Sequence, residues 1–174
     1  MAFRLESLMV ATAFLAAACG SGSSSSSSSA SAPAAPAGAA VITTKSVAGL
    51  GTVLVNGQGR TLYIFEPDHH AKVTCTGGCA SVWPPLKLTG AKAQTAGQVK
   101  AALVSSDPNP GGGRVVTYNG WPLYSYVADS QSGSAGGQGL NSSGGLWYVI
   151  TPAGTVITKK KASSGGSAYS SSTY

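Results

Sequence analysis

Leu54–Asp68 reads LVNGQGRTLYIFEPD, and Val115–Asp129 reads VVTYNGWPLYSYVAD. Laid over one another, Gly59 falls on Gly120, Leu62 on Leu123, Tyr63 on Tyr124, Phe65 on Tyr126 and Asp68 on Asp129. Each stretch then runs on to a tryptophan, Trp83 in the first and Trp147 in the second. The chain therefore carries a duplicated unit of roughly fifty residues, about 49–90 and 113–154, and the two copies are expected to pack on each other.

Each unit reads as strand, tight turn, strand. Val53-Leu54-Val55 leads through Asn56-Gly57-Gln58-Gly59 to Thr61–Phe65; Val115–Tyr118 leads through Asn119-Gly120 to Leu123–Val127. A two-residue Asn-Gly connection is the strongest short hairpin signal, because both positions accept positive φ. Leu146–Thr151, the turn Pro152-Ala153-Gly154 and Thr155–Thr158 add a further hairpin. Ala91–Val104 carries Val99 and Leu103 at helical spacing, which allows one short helix there, although Gly97 interrupts it. The expected fold is mostly β: two tandem β-hairpin-based repeats packed as one antiparallel β domain over 41–158, with at most one short helix.

Outside that domain the chain changes character. Residues 1–18 place Arg4 before the uncharged run Leu8–Ala18, too short to span a bilayer and ending in small residues, as a secretory signal does. Cys19 follows at once. This arrangement resembles a bacterial lipoprotein signal, in which that cysteine becomes the acylated first residue of the mature chain; Ala16 stands where such signals usually carry Leu. Residues 20–40, GSGSSSSSSSASAPAAPAGAA, cannot build a core and read as a tether of roughly 25 Å reach. Residues 159–174 read as a basic, Ser/Gly-rich disordered tail.

Composition narrows the function. Of 174 residues only 9% are charged, against about 25% in an ordinary domain. Lys and Arg total 11 and the acids 5, for a formal charge of +6. That excludes a coiled coil, a charge-rich disordered protein and an acidic calcium module. Beyond the signal, Glu66, Asp68, Asp107 and Asp129 are the only side-chain carboxylates, so acid/base catalysis has few candidates, and no catalytic residue is assigned. No nucleic-acid motif is recognisable. Anionic envelope polymers or lipid headgroups are the natural partners of the cationic surface.

The three cysteines divide as one plus two. With Cys19 acylated, Cys75 and Cys79 enclose Thr76-Gly77-Gly78 and are expected to form a disulfide in an oxidising compartment. The alternative is a metal site. His69 and His70, the only histidines, lie just upstream, and two thiolates with an imidazole suit copper or zinc. Tyr63 with Asp68, and Tyr124 with Asp129, read as structural pairs: a packed tyrosine and an aspartate accepting the N–H groups of a turn. Trp121, immediately after the second hairpin turn, is the aromatic most suited to a ligand platform.

The Tyr-x4-Asp spacing in both copies, with Arg60-Thr61-Leu62-Tyr63, Cys75–Ala80, Trp83-Pro84-Pro85 and Tyr118–Tyr124, resembles the bacterial secreted repeat of unknown function defined by a Y-x4-D motif. Members are typically lipoproteins with paired repeats. The resemblance covers about 49–154 and implies an exported lipoprotein, held to the bilayer by acylated Cys19, with no activity attached. The expected function is a non-enzymatic binding or scaffolding module of the cell envelope without a cofactor. The competing expectation is an envelope metal-binding or thiol-redox protein built on His69, His70, Cys75 and Cys79.

Overall fold

A computed structural model of the chain describes residues 40–68 and 72–159. The expectations for the signal, Cys19, the tether, His69, His70 and the tail beyond residue 159 lie outside the described residues.

The domain is mostly β, with ten short strands and one five-residue α-helix among the described residues. In chain order the strands are β1 (Val41–Val47), β2 (Gly51–Asn56), β3 (Tyr63–Phe65), β4 (Gln94–Thr95), β5 (Val104–Pro108), β6 (Arg114–Tyr118), β7 (Trp121–Pro122), β8 (Leu140–Ser142), β9 (Gly145–Ile150) and β10 (Val156–Ile157). They form three small sheets, ordered β2-β1-β4, β10-β9-β3 with β8 added to β9, and β5-β6-β7. All pairs are antiparallel except β1 with β4.

The hairpins follow from their turns. Asn119 and Gly120 take φ 48° and 80°, and the pairing continues past them as the Leu123 N–H donates to Val116 O at 3.0 Å. The first copy has a longer connection: Asn56 Oδ1 accepts the N–H groups of Gln58 and Arg60, each at 3.0 Å, and so clamps its own loop. The strand expected at Leu123–Val127 is shorter than its apolar pattern implies. Regular pairing ends near Tyr124, and the following residues turn to the 82–85 segment, with Ser125 N–H on Pro84 O and Val127 N–H on Val82 O.

The short helix also sits elsewhere than expected. Ala91–Val104 holds β4 and a single 3-10 turn at Ala101–Leu103, because Gln94 N–H and Ala96 N–H zip onto Ala40 O and Ile42 O beside β1. The α-helix, α1, is Gly78–Val82. Its second residue, Cys79, is bonded to Cys75, and its last turn ends with Trp83 N–H donating to Cys79 O at 2.8 Å.

Two hydrophobic clusters fill the domain. β3 separates them: Tyr63 and Phe65 face the first, Ile64 the second, and all three are buried. A strand covered on both faces gains from apolar residues at every position, which is why Leu62–Phe65 reads as an unbroken apolar run. β3 pairs with β9, setting Phe65 opposite Trp147, so the first copy's strand is completed by the second copy's.

Four rings form a column through the first cluster. Phe65 stacks on Trp147 at 4.3 Å between centroids, Trp147 on Trp83 at 3.9 Å and 2° between planes, and Trp83 on Tyr126 at 4.2 Å. Tyr63 meets Trp83 edge-on at 5.5 Å, and Tyr124 meets Trp147 edge-on at 5.3 Å. Every contact has its counterpart under exchange of the copies, so a pseudo-twofold axis passes through the tryptophan pair. Such pairs contribute about 0.5–1.5 kcal/mol each beyond burial.

Gly137 lies against this column. A Cβ there would come within 2.7 Å of Trp83 and 2.9 Å of Tyr63. Gly137→Ala is therefore expected to destabilise the domain by about 1–3 kcal/mol. Gly78→Ala, in α1 with open space around its Cβ position, should be neutral or slightly stabilising. Paired denaturant titrations check the contrast, and equal midpoints for the two variants would refute it.

Candidate functional site

The aspartates of the repeat motif do serve the turns that follow them. Asp68 Oδ1 accepts the Thr74 N–H at 2.8 Å and the Thr74 Oγ–H at 2.6 Å; Asp129 Oδ1 accepts the Gly136 N–H at 2.9 Å. Each closes a loop that leads from the tyrosine strand to the tryptophan. A 3-10 turn, Glu66–Asp68, intervenes between strand and aspartate in the first copy, so strand alternation does not govern where Asp68 points.

The tyrosine partners are crossed. Tyr63 Oη–H donates to Asp129 Oδ2 and Tyr124 Oη–H to Asp68 Oδ2, both at 2.5 Å. The backbones cross as well: Tyr63 N–H donates to Tyr124 O at 2.8 Å, and Tyr124 N–H to Tyr63 O at 2.9 Å. Tyr63 and Tyr124 are fully buried, and Asp68 and Asp129 are 0% and 2% exposed, so water reaches none of the four groups to any extent. Burial, then the hydrogen bond to Asp129 and its charge, push the Tyr63 phenol well above its ordinary 10.0. Burial and Asp68 do the same to Tyr124. Neither phenol is an acid or base near neutrality. The four residues form a closed, satisfied knot.

Cys75 and Cys79 are bonded to each other, Cys75 within the first cluster and Cys79 half-buried beside it. So small a loop contributes about 2 kcal/mol in chain-entropy terms. A bonded pair has no thiolate to offer, so the metal expectation requires the bond to be opened first. Among the described residues no three His, Cys, Asp or Glu side chains gather in a group that could hold an ion.

Trp121 is half-buried and packs against the second cluster. Tyr63 and Tyr124 belong to the first, so the three do not share a cleft. Two polar residues make long-range bonds that the sequence does not indicate. Gln138, 8% exposed, accepts the Val149 N–H and donates to Ile157 O and Lys159 O, tying β9 to β10 and the residues just after it. Thr61, fully buried, donates to Ser134 O at 2.5 Å and joins the first hairpin to the loop after Asp129. No local pattern marks either role, because both depend on long-range contacts.

A family model described as a secreted repeat of unknown function matches the chain twice, at 45–87 and 108–151, together half of its length. The chain belongs to this family, and the domain is thereby extracytoplasmic. No curated protein and no solved structure matches it significantly. Among the described residues no helix is long and apolar enough to cross a membrane.

The crossing has an energetic signature. In double-mutant cycles Tyr63→Phe is expected to couple with Asp129→Ala by about 1–3 kcal/mol. With Asp68→Ala, which the sequence places nearer, it should couple far less. Equal coupling to both aspartates would overturn the crossed assignment.

Both tyrosines also set a pH limit. Below pH 10 they are protonated in the folded and the unfolded chain alike, and their contribution is whole. Above pH 10 the unfolded chain loses protons that the fold retains, so stability falls by about 1.4 kcal/mol per pH unit for each tyrosine. Unfolding free energies measured from pH 8 to 11.5 should be level and then drop, and the Tyr63→Phe/Tyr124→Phe chain should lose most of that drop. An unchanged slope in the double variant would count against the assignment.

Proposed function

We propose that the protein is a membrane-anchored extracytoplasmic lipoprotein, acylated at Cys19, whose duplicated β body is a non-enzymatic binding or scaffolding module of the cell envelope. The observation that carries the non-enzymatic part is the closed knot at the axis. The only acids repeated in both copies, Asp68 and Asp129, are buried and held by tyrosines and loop N–H groups. Among the described residues that leaves Glu66 and Asp107 as the carboxylates available at the surface. Chemistry that needs a pair of acids in a cleft has no support in this arrangement.

The anchor is supported by sequence. A short uncharged run ends in Ala16-Ala17-Ala18 and is followed at once by Cys19 and a Ser-rich stretch. Several acyl chains on one cysteine hold a protein firmly, whereas a single chain is marginal. The surface charge suits an envelope location: Lys45, Arg60, Lys72, Lys87, Lys92, Lys100, Arg114 and Lys159 face two accessible acids. Such a surface is drawn to anionic lipid headgroups and acidic wall polymers.

Expressed as the full chain in a bacterium and fed an alkyne-tagged palmitate, the protein should take up label and sediment with membranes. Cys19→Ala should abolish the label and move the chain to the soluble fraction. A wild-type chain that is unlabelled and soluble would overturn the anchor.

A further inference from the structure

The two copies account for nearly all of the symmetric contacts, but residues 88–107 lie between the matched repeats and belong to neither. This segment is nonetheless ordered by bonds at several points. Leu88 N–H donates to Arg114 O, Gln94 N–H to Ala40 O, Lys100 N–H to Tyr118 Oη, and Leu103 O accepts the Asn119 N–H. It arches over the second cluster, packing Leu88, Ala93, Val99 and Leu103 against it. Between its descending and returning limbs is an open cavity of about 340 Å³, within the range of small-molecule sites.

Every residue lining that cavity comes from 88–106. The apolar part is Leu88, Ala91, Ala93, Ala101 and Val104; the polar part is Lys92, Thr95, Ser105 and Ser106. The edge strands β4 and β5 contribute to its two sides. The charged lining is a single cation, and Asp107, next along β5, is not part of it. One ammonium beside the Thr95 and Ser105 hydroxyls matches a carboxylate or sulfonate head, while the Ser106 hydroxyl already accepts the Arg114 Nε–H at 2.8 Å; the alkyl and methyl groups match a small apolar body.

We infer that the inter-repeat segment forms a binding site for a small amphipathic organic anion, with Lys92 receiving the charged head and Leu88, Ala101 and Val104 the apolar body. This rests on the reading of the domain as a binding module and deepens it: the symmetric repeats supply the body, and the chain between them supplies the specificity.

The test uses the full chain carrying Cys19→Ala, so that acylation has no part in the readout, and 8-anilinonaphthalene-1-sulfonate as the probe. Fluorescence titration should give one saturable site. Lys92→Ala should raise its Kd about tenfold, the loss expected for a hydrogen bond to a charged group, and Lys92→Arg should restore most of the affinity. Ala101→Trp, at an exposed position lining the cavity, should remove the signal while thermal melting stays unchanged. Val82→Ser with Val127→Ser, at the two large apolar residues exposed on the described surface, should have no effect. Uncharged N-phenyl-1-naphthylamine should bind at least tenfold more weakly. Equal affinity of the two probes would overturn the anionic class. Binding that survives both Ala101→Trp and Lys92→Ala, or that disappears with the two valines, would overturn the site.

Discussion

Tyr63 and Tyr124 each commit the whole residue to the opposite repeat. The backbones exchange N–H···O bonds across the axis, and each phenol reaches past it to the other copy's aspartate. Those aspartates in turn hold the loops that deliver the two tryptophans, which stack face to face at 3.9 Å. Position, polarity and packing are thus set by one arrangement. Removing any member leaves a buried polar group without its partner, which costs more than the bond itself contributes. The remaining strands build outward from this knot, β3 against β9 on one side and β6 with its neighbours on the other.

The hairpins and the duplication were legible because they depend on local chemistry. Asn119-Gly120 fixes its own turn, and Leu62 and Leu123 fall at equivalent buried positions. The disulfide was legible for a similar reason, with two cysteines, two glycines and an exported chain. The crossing was not. Tyr63 is five residues from Asp68 and far from Asp129, and two identical motifs satisfy a pairing rule equally well within a copy or between copies. Only the 3-10 turn after Phe65 and the antiparallel meeting of the two strands decide it. The helix was misplaced because Ala91–Val104 has the right apolar spacing, yet its N–H groups are taken by β1. α1 escaped notice because it opens on glycine, has no buried residue and is only one turn long.

The division between symmetric and asymmetric chain has a physical basis. Residues on a pseudo-twofold axis must satisfy two roles at once, and a change there is felt in both halves. The segment between the copies carries no such duty. Its constraints are local: Leu88, Val99 and Leu103 cover the second cluster, and its backbone is tied to Ala40, Ile42, Arg114 and Asn119. Recognition placed in such a segment leaves the packing of the body untouched, as loops on rigid scaffolds do elsewhere. The acids follow the same division. Half of the described carboxylates are used inside, so the exterior is more cationic than the composition alone would indicate.

The interlocked tryptophans carry an implication for descent. Phe65 lies on Trp147 and Tyr126 on Trp83, so each half meets its own indole only edge-on and leaves the stacked face to the other half. An ancestor with a single copy would have met the same need only by embracing a second molecule, each lending its strand to the other. Joining two copies in one chain makes permanent an association that would otherwise depend on concentration, and a chain holding an odd number of copies would be left with one open hand.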